Sequence, residues 1–185
     1  MSSEAPHPYQ LFADELRESD RSEFLDFSCG EESWSRAATE WLIGSEVWQS
    51  IKNRATKVWL YRTGAGLLVG FGSLGVTRRR WPPPNGGYSN LLILPMLGLD
   101  YRYHGKPPDR VWRYSNQVIS HLRYEALQIY GEYSEAGKSI LPLFSLFVHS
   151  ENKKAIRLYE TFGFVAEPTA SRDDLLLMIQ RIIDE

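Results

Sequence analysis

Leu143–Phe164 reads LFSLFVHSENKKAIRLYETFGF. Leu143 to Val148 is an apolar run of the length of a buried strand. His149-Ser150-Glu151 is a polar break. A short helix is predicted next, with Asn152, Ala155 and Tyr159 spaced by three and four so that they share one face. Gly163 suits the left-handed residue that stops such a helix. Read from residues alone, the segment is a strand, a helix and a turn, with Tyr159 either a packed aromatic or a group turned to a ligand.

Around this segment the chain has the composition of one globular domain, residues 1–185. Hydrophobic residues are 43% and charged residues 24%, enough apolar material for a core. The formal charge of -2 gives no general attraction to nucleic acid, although Arg78-Arg79-Arg80 and Lys153-Lys154 are local basic patches. Cys29 is the only cysteine, so no internal disulfide can form and a cysteine-ligated metal site is excluded. MSSEAPHPYQ lacks the charged and apolar regions of a signal peptide, and no run of about 18 apolar residues occurs. These features set the expectation of a cytoplasmic protein with no membrane span. No metal-ligand spacing is present.

Working outward, Tyr9 to Leu16 is expected to be a first strand. Glu31 to Leu42 is expected to be a helix, broken at Gly44, with Ser45 capping a second helix from Glu46 to Asn53. Trp34, Trp41 and Trp48 lie seven apart, a stripe that suits a core. Lys57–Arg62 and Leu67–Val76 form a hairpin about the turn Thr63-Gly64-Ala65-Gly66. RRRWPPPNGG, Arg78 to Gly87, is expected to be irregular, because its prolines lack backbone donors. Ser89 to Leu99 is a strand interrupted at Pro95. Asp109 to Tyr130 is the longest predicted helix, with Trp112, Ser115, Ile119, Leu122, Ala126 and Ile129 on one face. Gly131 to Pro142 is a polar connector, and Leu175 to Ile183 a last strand paired with Leu143–Val148. The result is an α+β fold with a mixed central sheet flanked by helices.

The strand, the N-x-x-A-x-x-x-Y helix and its Gly-Phe ending resemble the acetyl-CoA half-site of the GNAT family of N-acetyltransferases. A second stretch, LDYRYHGKPPDR from Leu99 to Arg110, resembles that family's R/Q-x-x-G-x-G/A loop, matching Arg102 and Gly105 and departing at Pro107. The front half, with Phe27-Ser28-Cys29-Gly30 and Val69-Gly70-Phe71-Gly72-Ser73-Leu74, is similar to a bacterial subgroup. That subgroup includes toxin-type enzymes that acetylate aminoacyl-tRNA. The resemblance runs from Phe27 to Phe164 and implies a GNAT-like acyl-CoA N-acyltransferase fold with acetyl-CoA as cofactor. It implies that Asn152 approaches the cofactor and that Tyr159 is the acid protonating the leaving thiolate. It implies that a backbone N–H of Leu97 or Leu99 polarises the thioester carbonyl. The loop Arg102, Tyr103, His104, Gly105 and Lys106 would hold the pyrophosphate. Pro107 and Pro108 remove two donors from that loop, and Asp109, expected near the helix start, would repel phosphate.

No general base stands out. Asp100 is a candidate whose simpler reading is a strand-end carboxylate, and His149 is a candidate whose simpler reading is an exposed loop histidine. His104 reads as a surface residue or a phosphate neighbour, His7 and His121 suggest nothing, and Cys29 reads as a packed residue. The leading expectation is acetyl transfer to a primary amine of a small-molecule, peptide or aminoacyl acceptor. The alternatives are toxin-type acetylation of charged tRNA, with Arg78 to Arg80 on its phosphates, and a non-catalytic binding module of the same fold. Tryptophans exposed at the surface would favour a homodimer.

Overall fold

A computed structural model describes residues 7–170 and 173–183. In chain order the elements are β1 (Leu11–Glu15), α1 (Ser33–Ile43), α2 (Ser45–Lys52), β2 (Thr56–Thr63), β3 (Leu68–Trp81), β4 (Gly87–Leu94), β5 (Leu97–Leu99), α3 (Tyr114–Glu135), β6 (Leu143–His149), α4 (Lys153–Thr161), β7 (Val165–Ala166) and β8 (Leu175–Arg181). The eight strands form a mixed sheet, ordered β1-β2-β3-β4-β6-β8-β7 with β5 on β3. The β4–β6 pair is parallel, and the β1–β2, β3–β4, β3–β5, β6–β8 and β7–β8 pairs are antiparallel.

The chain divides into two compact units, one formed by the sequence up to Ser73 with Met96–Ser120, the other by Leu74–Pro95 with the sequence from His121. In the first unit, Leu42, Val47, Val58, Leu60 and Phe71 are buried in one apolar cluster with Phe24, Phe27 and Cys29. Two of the three striped tryptophans belong to that core: Trp41 and Trp48 pack against the cluster, and Trp41 stacks on Phe71 with ring centres 5.8 Å apart. α1 ends at Gly44, where the extended backbone leaves no room for a side chain: a Cβ there would lie 2.7 Å from the Glu40 carbonyl oxygen. Gly44 also stands at the cap position of α2, so Ser45 is the first helical residue rather than the cap. None of the six tryptophans is exposed, which removes the surface argument for a homodimer.

In the second unit β6 pairs with β8 along its whole length, from Leu143↔Arg181 to His149↔Leu175. The parallel β4–β6 pairing ends at Leu94↔Leu146, and Pro95, without an N–H, cannot extend it. Arg78 to Trp81, expected to be irregular, continue β3 and pair with Asn90 to Gly87. The prolines are confined to the turn, which Gly86 closes by donating to the Pro82 carbonyl at 2.7 Å. Four residues with ordinary donors, Arg78 to Trp81, precede that turn, so nothing prevents the ladder from reaching it.

Helix α3 begins at Tyr114, five residues later than expected. The Asp109 carboxylate accepts from the Val111 N–H at 2.8 Å, making a local turn in place of a helix start. The Asn116 amide donates to the Arg110 carbonyl at 2.9 Å and ties that turn to the helix. At the other end α3 passes through Gly131 and stops near Gly137, whose φ of +68° suits a left-handed stop. Val118, Ile119, Leu122, Ala126 and Ile129 are its buried face.

Candidate active site

Strand β5 supplies the first group of site residues. It pairs with β3 through Gly70↔Leu99, Phe71↔Gly98 and Gly72↔Leu97. The Asp100 N–H donates to Val69 and the Ser73 N–H donates to Met96, both at 2.9 Å. In an antiparallel ladder the hydrogen-bonded pairs alternate with non-bonded ones, so Gly98 faces β3 while the N–H groups of Leu97 and Leu99 point away from it. Among the described residues no other strand pairs with β5, and no hydrogen bond is made by these two N–H groups. The strand lies close to its support because residue 98 has no side chain. A Cβ on Gly98 would stand 2.4 Å from the Cys29 Sγ and 2.6 Å from a Phe71 ring carbon. A glycine inside a strand marks a close approach of this kind, so Gly98 was visible in the sequence as a positioning residue and was missed.

The loop after β5 is built on Asp100, which is fully buried. Its carboxylate accepts from the Arg102 guanidinium at 2.8 and 2.7 Å, from the Arg102 N–H at 2.9 Å and from the Ser28 N–H at 3.4 Å. Burial acts to raise its pKa, but the hydrogen bonds and charge of Arg102, with the Ser28 N–H, hold it below the usual carboxylate value. Asp100 is thus an anchor of the loop rather than a base. Because its folded-state pKa lies below the unfolded value, the stabilisation is complete above about pH 4 and is lost as pH falls through the folded value. Asp100→Asn is expected to lower stability at neutral pH by about 2 kcal/mol, one charged hydrogen bond's worth. Thermal unfolding across pH tests this: the gap to wild type should close only below about pH 4, and a gap constant with pH would rule the carboxylate out.

The same anchoring changes how the loop can meet a ligand. The Arg102, Tyr103, His104 and Lys106 N–H groups are all bonded inside the chain, to Asp100 (side chain and carbonyl), Tyr101 and Tyr103. His104 also turns back, its ring Nε2 3.0 Å from the Leu99 carbonyl oxygen. Tyr103 sits edge-on to Tyr114 at 5.8 Å. Gly105, with φ of +71°, carries the loop N–H left over for an anion. The donors are scarce because the loop closes on itself, in addition to the two that Pro107 and Pro108 lack. Asp109 is not at a helix start, so the repulsion expected there does not arise in that form.

In the second unit the polar break after β6 leads to Asn152, the cap of α4. The Asn152 Oδ1 accepts from the Ala155 N–H at 3.1 Å, and the Asn152 N–H donates to the His149 carbonyl at 2.9 Å. The carbonyl side of this amide is thus structural, and its Nδ2 is the part left to a ligand. Two turns on, Tyr159 is buried, edge-on to Phe164 at 5.7 Å, with Phe164 in turn against Phe144 at 5.4 Å. Its hydroxyl bonds to no other described residue, and burial pushes its pKa up to about 12. It therefore carries its proton throughout the neutral range, as an acid must. Gly163, φ +85°, ends the helix as expected. The His149 Nδ1 accepts from the Glu151 N–H at 3.3 Å, within its own loop. Burial pushes the Cys29 thiol up to about 11, so it is a packed residue and not a nucleophile. Among the described residues no group of three or more His, Cys, Asp or Glu is placed to hold a metal, and no helix is long and apolar enough to cross a membrane.

No family model matches the sequence, and no curated protein does. Solved structures do match the fold. The chain is similar to a tyrosine-to-phenylalanine mutant of the AtaT toxin bound to the C-terminus of the antitoxin AtaR and acetyl-CoA, at 17% identity and a TM-score of 0.64, covering 93% of each chain. AtaT complexed with acetyl-methionyl-tRNAfMet is similar at 18% identity and 0.61, over 93% of this chain and 95% of that one. Spermidine/spermine N-acetyltransferase SpeG from Vibrio cholerae is similar at 17% identity and 0.58, over 94% and 93%. At these identities the likeness establishes the fold, the GNAT acyl-CoA N-acyltransferase fold.

Proposed function

We propose that the chain is an acetyl-CoA-dependent N-acetyltransferase acting on a primary amine, with residues 1–185 as one functional domain. The observation that carries the reading is the β5 edge, whose Leu97 and Leu99 N–H groups have no ladder partner among the described residues. Acetyl-CoA supplies the activated acetyl thioester. Leu97 or Leu99 donates to the carbonyl oxygen and stabilises the negative charge that grows there as the neutral amine attacks. Tyr159 donates its proton to the departing thiolate. The Asn152 amide and the Gly105 N–H are the remaining cofactor donors, with Lys106 adding charge. The amine's own proton leaves to solvent, since the Asp100 carboxylate is committed to Arg102. A cytoplasmic location goes with this reading, supported by the lone, buried cysteine.

Calorimetric titration of acetyl-CoA into the purified chain tests it. Binding is expected, weaker by about tenfold or more than a loop with free amides would give, since each absent charged hydrogen bond is worth about 1.5–3 kcal/mol. No heat at any concentration would favour the non-catalytic module, for which the closed loop is the supporting observation.

A second reading, acetylation of charged tRNA, is supported by the likeness to AtaT. Arg78 and Arg80 flank the exposed ring of Tyr88, their guanidinium carbons 5.6 and 5.2 Å from its centre. Expression is then expected to slow growth, and Arg78→Ala with Arg80→Ala to relieve it by weakening phosphate contacts. Normal growth, with no acetyl group on any charged tRNA, would exclude this substrate.

A further inference from the structure

Ser73 stands in β3 opposite Met96, one register step beyond the Gly72↔Leu97 pair. Its side chain is fully buried. A buried hydroxyl needs partners to offset the water it has lost, and this one spends its donor and an acceptor lone pair on a single residue. It donates to the Met96 carbonyl at 2.9 Å and accepts from the Met96 N–H at 2.9 Å. The Ser73 N–H donates to the same carbonyl, also at 2.9 Å. In a regular antiparallel pair the Met96 N–H would meet the Ser73 carbonyl. Here the side-chain hydroxyl takes that place, beside Pro95, which has no N–H to carry the ladder on.

The consequence falls on β5. The Met96 carbonyl and the Leu97 N–H belong to one planar trans peptide and point in opposite directions. Two donors on the carbonyl fix the plane of that peptide from the β3 side. They also draw electron density toward the oxygen, which makes the N–H on the far side a stronger donor. The Leu99 N–H is supported differently. Its peptide carbonyl is that of Gly98, which takes the ladder bond of its pair with Phe71 and meets no side-chain donor among the described residues. The two N–H groups are alike in direction but differ in how firmly they are held and how strongly they donate.

We propose that Ser73 is a positioning residue for acetyl transfer. Its hydroxyl aims and polarises the Met96–Leu97 peptide, so that Leu97 rather than Leu99 is the donor to the thioester carbonyl, a role that rests on the N-acetyltransferase reading above. Ser73, Met96 and β5 all lie within the first unit.

Met96–Leu97 is the only Met-Leu step in the sequence. A chain labelled with NMR-active isotopes at its methionine carbonyl carbons and leucine nitrogens therefore gives a single signal from this peptide. Acetyl-CoA is expected to shift its amide proton downfield. S-ethyl-CoA, the same chain without the carbonyl oxygen, is expected to leave it in place. By calorimetry the wild type should prefer acetyl-CoA over S-ethyl-CoA about fivefold, the worth of one neutral hydrogen bond. Ser73→Ala should lose most of that preference while S-ethyl-CoA binds as before, a split that a merely structural role would not produce. Ser73→Thr, which keeps the hydroxyl, should retain the preference. An equal response of the Leu97 signal to both ligands, or the full preference kept by folded Ser73→Ala, would overturn the role of Ser73 and leave the N-acetyltransferase reading standing. A wild type that binds neither ligand would overturn both. The labelled wild type gives the answer even if the alanine variant does not fold.

Discussion

Gly98→Val is expected to destabilise the chain by about 3 kcal/mol, the upper end of what an overpacked core costs. The first added carbon alone would stand 2.4 Å from the Cys29 Sγ and 2.6 Å from Phe71. Neither neighbour can give way easily: Cys29 and Phe71 belong to the same buried cluster, and Phe71 is also held by Trp41 and Phe27. For a chain of this length the loss corresponds to a melting-temperature drop of roughly 6–12 °C. Acetyl transfer should fall further than stability, because β5 would be pushed off the wall that aims the Leu97 and Leu99 N–H groups. Gly98→Ala is the milder probe, and adding Cys29→Ala should recover part of its loss. A Gly98→Val protein that melts with the wild type would show that the strand is not held against that wall.

Tyr159→Phe is expected to lower turnover about 10- to 100-fold with little change in stability. Removing one positioned proton donor has an effect of this size. Stability should hold because the hydroxyl bonds to no other described residue and the ring keeps its contact with Phe164. The pH profile gives a separate readout. With its pKa pushed up to about 12, the tyrosine stays protonated across the working range, so wild-type turnover should not decline on the alkaline side until well above pH 10. Turnover unchanged in the variant would remove Tyr159 from the chemistry.

The parts of the fold that were legible in the sequence are those whose causes are local. Leu143–Phe164 carries its strand, helix and glycine stop within 22 consecutive residues, and all three stand where the spacing puts them, while Asn152, expected on the helix, is its cap. Pro95 breaks its strand through its own missing N–H. The errors came from residues credited with influence beyond their own position. The prolines at 82–84 govern the turn they occupy and not the arginines before it. Asp109 has the chemistry of a helix cap but spends its carboxylate on a turn two residues away.

The site was legible in its residue types and less so in its geometry. That Leu97 and Leu99 turn their N–H groups outward depends on register with Gly70 and Gly72, more than twenty residues earlier. Leu97 and Leu99 were therefore reachable only through the family resemblance. The Arg102–Lys106 amides are taken by Asp100, Tyr101 and Tyr103, two or three positions back, so the closing of the loop is a local feature that a reading aimed at a ligand passed over. What lay out of reach was the burial of Asp100 beside Ser28, 72 positions away.

Cys29 has a use beyond its place in the packing. It is the single thiol of the chain and is 4% exposed behind β5. With its pKa pushed up to about 11, almost none of it is the reactive thiolate at neutral pH. A thiol reagent can modify it only during excursions that lift β5 from its wall, so the labelling rate is a clock for local opening in the unmodified protein. A molecule that binds only the seated strand must slow that clock by the factor 1 + [L]/Kd. The protein thus carries its own reporter of occupancy at the β5 edge, readable with no knowledge of the acceptor and with no turnover.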